Sequence, residues 1–140
     1  MYLLDVNFLV AICDPQHVHH SASLEWFLRE SGKGWVTCPL TENGLVRVLI
    51  QPRIGLDRFN ARDVLDLVAD FRRHKSHIHV SDDVSLCDLE GEHAGRIKKP
   101  DHVSDAYLLA LCRKHGLKLA THDRKLEPAL APGEGLVETV

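Results

Sequence analysis

Residues 101–123 read DHVSDAYLLALCRKHGLKLATHD. From Asp101 to His115, apolar side chains fall nearly all round the helical turn: Val103, Ala106, Tyr107, Leu108, Leu109, Ala110, Leu111 and Cys112. A helix of that kind is buried in the middle of a fold, not laid on its surface. Gly116 supplies the usual C-terminal stop. Leu117 to Thr121 then reads as a strand, and Asp123 stands two residues beyond its end. Helix, glycine, short apolar strand and acid in immediate succession make the repeating step of a parallel α/β sheet.

The same alternation runs back to the start. Tyr2-Leu3-Leu4 is a short apolar strand ending in Asp5, and Asn7 to Cys13 reads as a helix broken by Asp14-Pro15. His20 to Glu30 reads as an amphipathic helix with Leu24, Phe27 and Leu28 on one face, ended by Ser31-Gly32. Trp35 to Cys38 reads as a strand stopped by Pro39, Thr41 to Ile50 as a helix capped by Thr41, and Pro52 to Leu56 as a loop. Asn60 caps a helix whose apolar positions are Ala61, Val64, Leu65, Val68 and Phe71. Ile78 to Val80 is a strand, Ser81 caps a short helix to about Cys87, and Glu90 to Pro100 is a loop. Beyond Arg124 come a helical turn, a Pro/Gly loop and a last strand from Leu136 to Val140. Residues 1–140 therefore predict one α/β domain, a parallel sheet with helices on both faces.

Composition narrows the function. Apolar residues make up 44% and charged residues 26%, ordinary for a globular domain. No apolar stretch approaches the roughly 20 residues of a membrane span. The N-terminus has no basic region leading into a long apolar one, so no secretory signal is expected. Cys13, Cys38, Cys87 and Cys112 form no C-x-x-C pair. They read as reduced residues of a cytoplasmic protein, not as disulfides or a zinc site. The net charge is −3, yet bases outnumber acids from Arg47 to Lys75 and again from Arg96 to Lys125. A mildly acidic total thus leaves room for a basic surface. Neither G-x-x-x-x-G-K nor G-x-G-x-x-G occurs, which argues against nucleotide-cofactor chemistry.

The acids carry the chemistry. Ligand sites of open α/β sheets lie beyond the carboxyl ends of the strands. Asp5 and Asp123 both follow strands and belong to that rim. Glu42 lies three and four positions before Leu45 and Val46, so it shares the apolar face of its helix. A capping box would need Ser or Thr at position 39, which is Pro39. Asp105 is placed in the first turn of the buried helix, where the dipole favours a carboxylate. Several buried acids gathered together need a compensating cation. Oxygen donors without paired thiolates point to a hard ion, Mg²⁺ or Mn²⁺. Such an ion acidifies water and neutralises a phosphoryl oxygen, the chemistry of phosphodiester hydrolysis.

Four blocks in order, LLDVNFL, CPLTENGLVRVL, HVSDAYLLALCRKHG and LATHD, resemble the PIN domain, and within it the VapC-type toxins of bacterial toxin–antitoxin pairs. The resemblance spans nearly the whole chain. It implies a three-layer α/β/α sandwich around a parallel sheet. It also implies a Mg²⁺-dependent endoribonuclease that hydrolyses RNA through a metal-activated water and is inhibited by a small VapB-type antitoxin. Its acidic set falls on Asp5, Glu42, Asp105 and Asp123. Asp5 and Asp105 are expected to hold the principal ion, with Asp123 and Glu42 completing the pocket through waters or a second ion. Asn7 and Thr121 are expected to support them, Asn7 by orienting Asp5. A homodimer is implied, and transfer RNA and a ribosomal RNA loop both suit the family as substrates. Trp26, Phe27 and Leu28 are the expected antitoxin contact, with core packing as the competing reading.

An acidic pocket repels phosphate, so backbone contacts are assigned to Arg47, Arg53, Arg58, Lys98, Lys99 and Arg124. His17 and His20 have ligand-like spacing, but no cysteine or H-E-x-x-H accompanies them, so a helix entry is the expected role. His102 and His122 stand near a site acid or Thr121 in the sequence and are candidates for substrate contact, with a plain surface histidine as the default reading. Two other readings stand beside the nuclease. One is a phosphohydrolase with an aspartate nucleophile, which would need an acid where Asn7 stands. The other is a non-catalytic RNA-binding or regulatory PIN-like domain.

Overall fold

The computed structural model describes residues 1–52 and 59–140. Its strands are β1 (Tyr2–Leu4), β2 (Trp35–Thr37), β3 (His77–His79), β4 (Lys118–Thr121) and β5 (Val137–Thr139). They pair in parallel in the order β3-β2-β1-β4-β5. The helices are α1 (Val6–Cys13), α2 (His20–Glu30), α3 (Pro39–Leu49), α4 (Ala61–Arg73), α5 (Gly91–Gly95), α6 (Asp101–His115) and α7 (Leu126–Leu130). The chain builds outward from β1 to β3, then returns across the sheet to lay β4 on the other side of β1. That reversal is the switch point at which open α/β sheets form their crevice.

Alternation along each strand divides the core in two. Leu3, Val36 and Leu119 pack with Leu108, Leu109, Leu111 and Cys112 of α6 and with Leu126 and Leu130 of α7. Leu4, Trp35 and Ala120 face the other way, onto Phe8 and Leu9 of α1, Trp26 of α2, Leu45 and Leu49 of α3 and Val64 and Val68 of α4. Helices therefore cover both faces of a buried parallel sheet, and the architecture is the expected α/β/α sandwich. Among the described residues no helix is long and apolar enough to cross a membrane.

Several boundaries differ from the sequence reading. Pro39 does not merely stop β2; it is the first residue of α3, where its missing N–H costs nothing. Thr41 is accordingly not the cap. It sits one turn in, and its Oγ1 accepts from the Cys38 backbone N–H at 3.1 Å, closing a capping box on Cys38. Ser81 caps no helix; Ser85 does, accepting from Cys87 N–H at 3.1 Å to start a short 3₁₀ turn, Leu86–Asp88. The loop after Glu90 contains α5. On α2 the buried residues are Ser23 and Trp26, whereas Leu28 stays 70% exposed. Trp26 is thus a core residue, its ring edge-on to Tyr2 and Phe8, and is withdrawn from the expected antitoxin contact.

Two glycines matter. Gly116 ends α6 in the left-handed conformation, φ +63°. Gly44 lets α3 cross the start of α1, since a Cβ built there would stand 2.4 Å from Val6 Cγ2.

Candidate active site

Because β1 and β4 are neighbours, their carboxyl ends open at one level, with Leu4 opposite Ala120. Asp5 caps α1 with extended backbone, and its Oδ1 accepts from the Val6 N–H at 2.6 Å. Its Oδ2 accepts from the Thr121 hydroxyl at 2.7 Å. Thr121 Oγ1 in turn accepts from the Asp123 N–H at 3.1 Å. One buried threonine therefore fixes the first acid and the turn that carries the last. Asp123 Oδ1 accepts from Lys125 N–H at 2.8 Å, which shapes the entry to α7.

Asp5, Asp105 and Asp123 line one cleft of about 690 Å³, together with Asn7, Asn43, Arg47, Lys99, Asp101 and Ser104. Leu40, Asn43, Gly44 and Arg47 are one stripe of α3, and Asp101, Ser104, Asp105 and Leu108 are one stripe of α6. Asp105 is the fifth residue of its helix, beyond the first turn, where Asp101 stands. The helix dipole is therefore a weak reason for Asp105.

The electrostatics are unfavourable to the carboxylates as they stand. Burial pushes the Asp105 carboxyl up to about 6, and the neighbouring Asp5 and Asp123 charges push the same way against His102 and Lys99. Asp5, only 6% exposed, is raised by burial despite the bonds from Thr121 and Val6. Among the described residues no Lys, Arg or His forms an ion pair with Asp5, Asp105 or Asp123. Lys99 instead faces Asp101 at 3.8 Å. Among those residues no three His, Cys, Asp or Glu side chains are already drawn into a ligand shell. The donor set nonetheless fits a hard divalent ion taken by one or two carboxylates, with water filling the remaining positions.

Glu42 does not line this cleft. It does share the buried face of α3 with Leu45 and Leu49, but that face turns toward the β3 edge of the sheet. There Glu42 accepts from Thr37 Oγ1 at 2.6 Å, from Arg72 Nε at 3.2 Å to both oxygens, and lies 3.1 Å from His79 Nδ1. Burial opposes its charge, but the Arg72 and Thr37 bonds outweigh it and hold the carboxyl below its ordinary value. Asn43, one position on, takes the cleft-facing place. Asn43, Asp101 and Ser104 were not singled out from the sequence. Helical spacing finds them: Asn43 lies four before Arg47, Asp101 four before Asp105, and Ser104 three after Asp101 and four before Leu108.

The basic candidates divide. Arg47 and Lys99 line the cleft, while Lys98 and Arg124 are exposed outside it. Arg53 and Arg58 lie outside the described residues, as does most of the loop read from Pro52 to Leu56. His20 Nδ1 lies 2.8 Å from Ala11 O, tying the start of α2 to α1. His122 stacks between Phe8 and His19, with ring centroids 5.5 and 4.5 Å away. His102 Nδ1 lies 3.2 Å from Arg96 O.

Comparison with known proteins bears on the fold and the family. The family model for the PIN domain matches residues 2–129. Ribonuclease VapC38 of Mycobacterium tuberculosis is 40% identical over 123 residues, covering 88% of this chain and 85% of that protein. Ribonuclease VapC44 of the same species is 36% identical over 131 residues, covering 94% and 92%. The crystal structure of Mycobacterium tuberculosis VapC20, described as a Sarcin-Ricin loop cleaving toxin, superposes with a TM-score of 0.69. It covers 92% of this chain and 95% of that one at 14% identity, a likeness of fold. With the acids of β1, α6 and β4 gathered in one crevice and relatives this similar end to end, the chain belongs to the PIN domain family, among the VapC-type ribonucleases.

Proposed function

We propose that this protein is a metal-dependent endoribonuclease, the toxin of a VapBC-type pair. The observation that carries the reading is the shared cleft of Asp5, Asp105 and Asp123, three carboxylates from separate parts of the chain with no protein cation bonded to them among the described residues. Similarity to named ribonucleases supports RNA as the substrate.

Asp5 and Asp105 would hold a Mg²⁺ or Mn²⁺ ion directly, and Asp123 would complete its surroundings. When bound, the ion supplies positive charge to the phosphoryl oxygens and makes an attacking water more acidic. Thr121 and the Val6 N–H keep Asp5 in one rotamer, so that the site is organised before substrate arrives. Asn7, at the first turn of α1, and Asn43 across the cleft offer amides to the ribose-phosphate backbone. Arg47 and Lys99 stand where flanking phosphates pass and offset the negative field of the aspartates. In-line attack at phosphorus would leave a 5′-phosphate and a 3′-hydroxyl. Glu42 has no part in these contacts and serves the fold.

A small VapB-type antitoxin and a second copy of the chain are the proposed protein partners, in the cytoplasm. Transfer RNA and a ribosomal RNA loop are the proposed targets. The deciding assay follows cleavage of total cellular RNA by purified protein with Mg²⁺, with chelator, and with Asp5→Asn. The expected outcome is cleavage only by the wild type with metal, and a loss of at least roughly 100-fold in the variant. Undiminished cutting by a folded Asp5→Asn protein would overturn the reading.

A further inference from the structure

A second, smaller cavity of about 210 Å³ opens beside the cleft. Its walls are Leu40, Asp82, Leu86, Val103, Ser104 and Tyr107. Leu40 and Ser104 also line the acidic cleft, so the two cavities meet across one sill. On α6 the residues facing the cleft are 101, 104, 105 and 108, and those facing the pocket are 103, 104 and 107. Adjacent sides of one helix thus wall both spaces, with Ser104 on the ridge between them.

The pocket's chemistry is unlike the cleft's. Leucine, valine and the half-buried ring of Tyr107 make an apolar slot, and Val103 remains 43% exposed. A single carboxylate, Asp82, stands at its edge. Among the described residues no Lys or Arg pairs with Asp82; the nearby Lys114 and His115 bond Asp83 instead. A phosphate would be repelled here, and a purely aliphatic occupant would offer no further donor to the Asp82 carboxylate, whose neighbours are the Cys38 thiol and the Tyr107 hydroxyl. A nucleobase meets both demands. Its faces are apolar and stack on side chains of this kind, and its edge carries N–H donors.

We propose that this pocket seats one unstacked nucleobase of the RNA next to the scissile phosphodiester, with Asp82 accepting a hydrogen bond from an exocyclic amino group. Adenine, cytosine and guanine carry such a group, and uracil does not. A carboxylate is the acceptor suited to that donor, as in carboxylate recognition of cytosine N4. The cleft then supplies cleavage and the pocket supplies selection. The inference rests on the ribonuclease reading and extends it to base preference.

The test uses short single-stranded RNAs that differ only at the nucleotides flanking the cleavage point, with kcat/KM measured for each base. Wild-type protein should cut substrates with uracil at one flanking position roughly tenfold more slowly than those with an amino-bearing base. Asp82 is exposed, so Asp82→Asn is expected to fold normally. Its amide can donate to uracil O4, and the preference against uracil should shrink or reverse. Leu86→Trp should fill the slot, raise KM and flatten the preference. Wild-type cutting with a base profile left intact by both variants would sink the pocket while sparing the nuclease. Altered antitoxin binding with an unchanged base profile would show that the pocket serves a protein partner, and would also overturn the proposal. Absence of any cutting by wild-type protein would remove the ribonuclease reading, and the pocket's role with it.

Discussion

Asp105 is held in a place that is costly for an isolated carboxylate. Its carboxyl is pushed up to about 6 by burial and by the charges of Asp5 and Asp123. The folded chain therefore binds this proton more tightly than the unfolded chain does. The destabilisation is fully present above pH 6, fades as pH falls from 6 toward the ordinary carboxylate value of 3.8, and is absent below it. Asp105→Asn should raise the metal-free Tm at pH 7.5 by roughly 3–6 °C, about 1–2 kcal/mol after allowing for partial exposure. Thermal melts at pH 7.5 and pH 4.5 check this, since the gain should largely vanish at the lower pH. In the proposed site proton and ion would compete for the same oxygens, so Mg²⁺ affinity, read by calorimetry, should weaken as pH drops through 6. Asp5, Asp105 and Asp123 were legible because strand ends and one helix stripe place them by rule. Glu42 was not. Its spacing from Leu45 tells only that it is buried, and its partner Arg72 lies 30 positions away on another helix.

Helix α3 shows what an element does with two faces. One carries Asn43 and Arg47 into the cleft, and the other carries Glu42 to Arg72, His79 and Thr37. The buried carboxylate thereby ties α3 to α4, β2 and β3. Since its folded value lies below the ordinary 4.5, its stabilisation is present above that value and is lost as pH falls through the folded one. Glu42→Gln should cost about 1–2 kcal/mol at pH 7, with the difference shrinking toward pH 3, as denaturant melts would show. Cleavage per folded molecule should change by less than roughly threefold, because no substrate contact is lost. Gly44→Ala should be harsher for its size. Its methyl would meet Val6 at 2.4 Å, an overpacking expected to cost about 1–3 kcal/mol. Because Val6 follows Asp5, the shift should lower activity as well, and urea melts beside cleavage rates would separate the two effects. The start of α3 was misread because proline both ends strands and begins helices, and only the Cys38–Thr41 capping bonds distinguish the cases.

Over the whole molecule, a net charge of −3 coexists with a substrate that is itself anionic. Affinity must come from where the cations stand, and among the described residues Arg47 and Lys99 are the ones the fold brings to the cleft. RNA binding by the non-cutting Asp5→Asn protein should fall steeply with salt. Adding Arg47→Ala should make the log–log slope shallower by about 0.7, the value for one phosphate contact on a single strand. Fluorescence anisotropy across a salt series measures it, and an unchanged slope would remove Arg47 from the backbone contacts. The α/β/α layering was legible from the alternation of short apolar strands and helices. The strand order was not written in that pattern. It follows from which hydrophobic faces close on each other once the chain is whole. That order has a consequence for synthesis. Asp5 and Thr121 meet although they stand 116 positions apart, and β1 lacks one of its two neighbours until β4 leaves the exit tunnel. A growing polypeptide therefore holds Asp5 without Thr121 or Asp123, and the proposed cutting centre is completed only once that late strand has emerged.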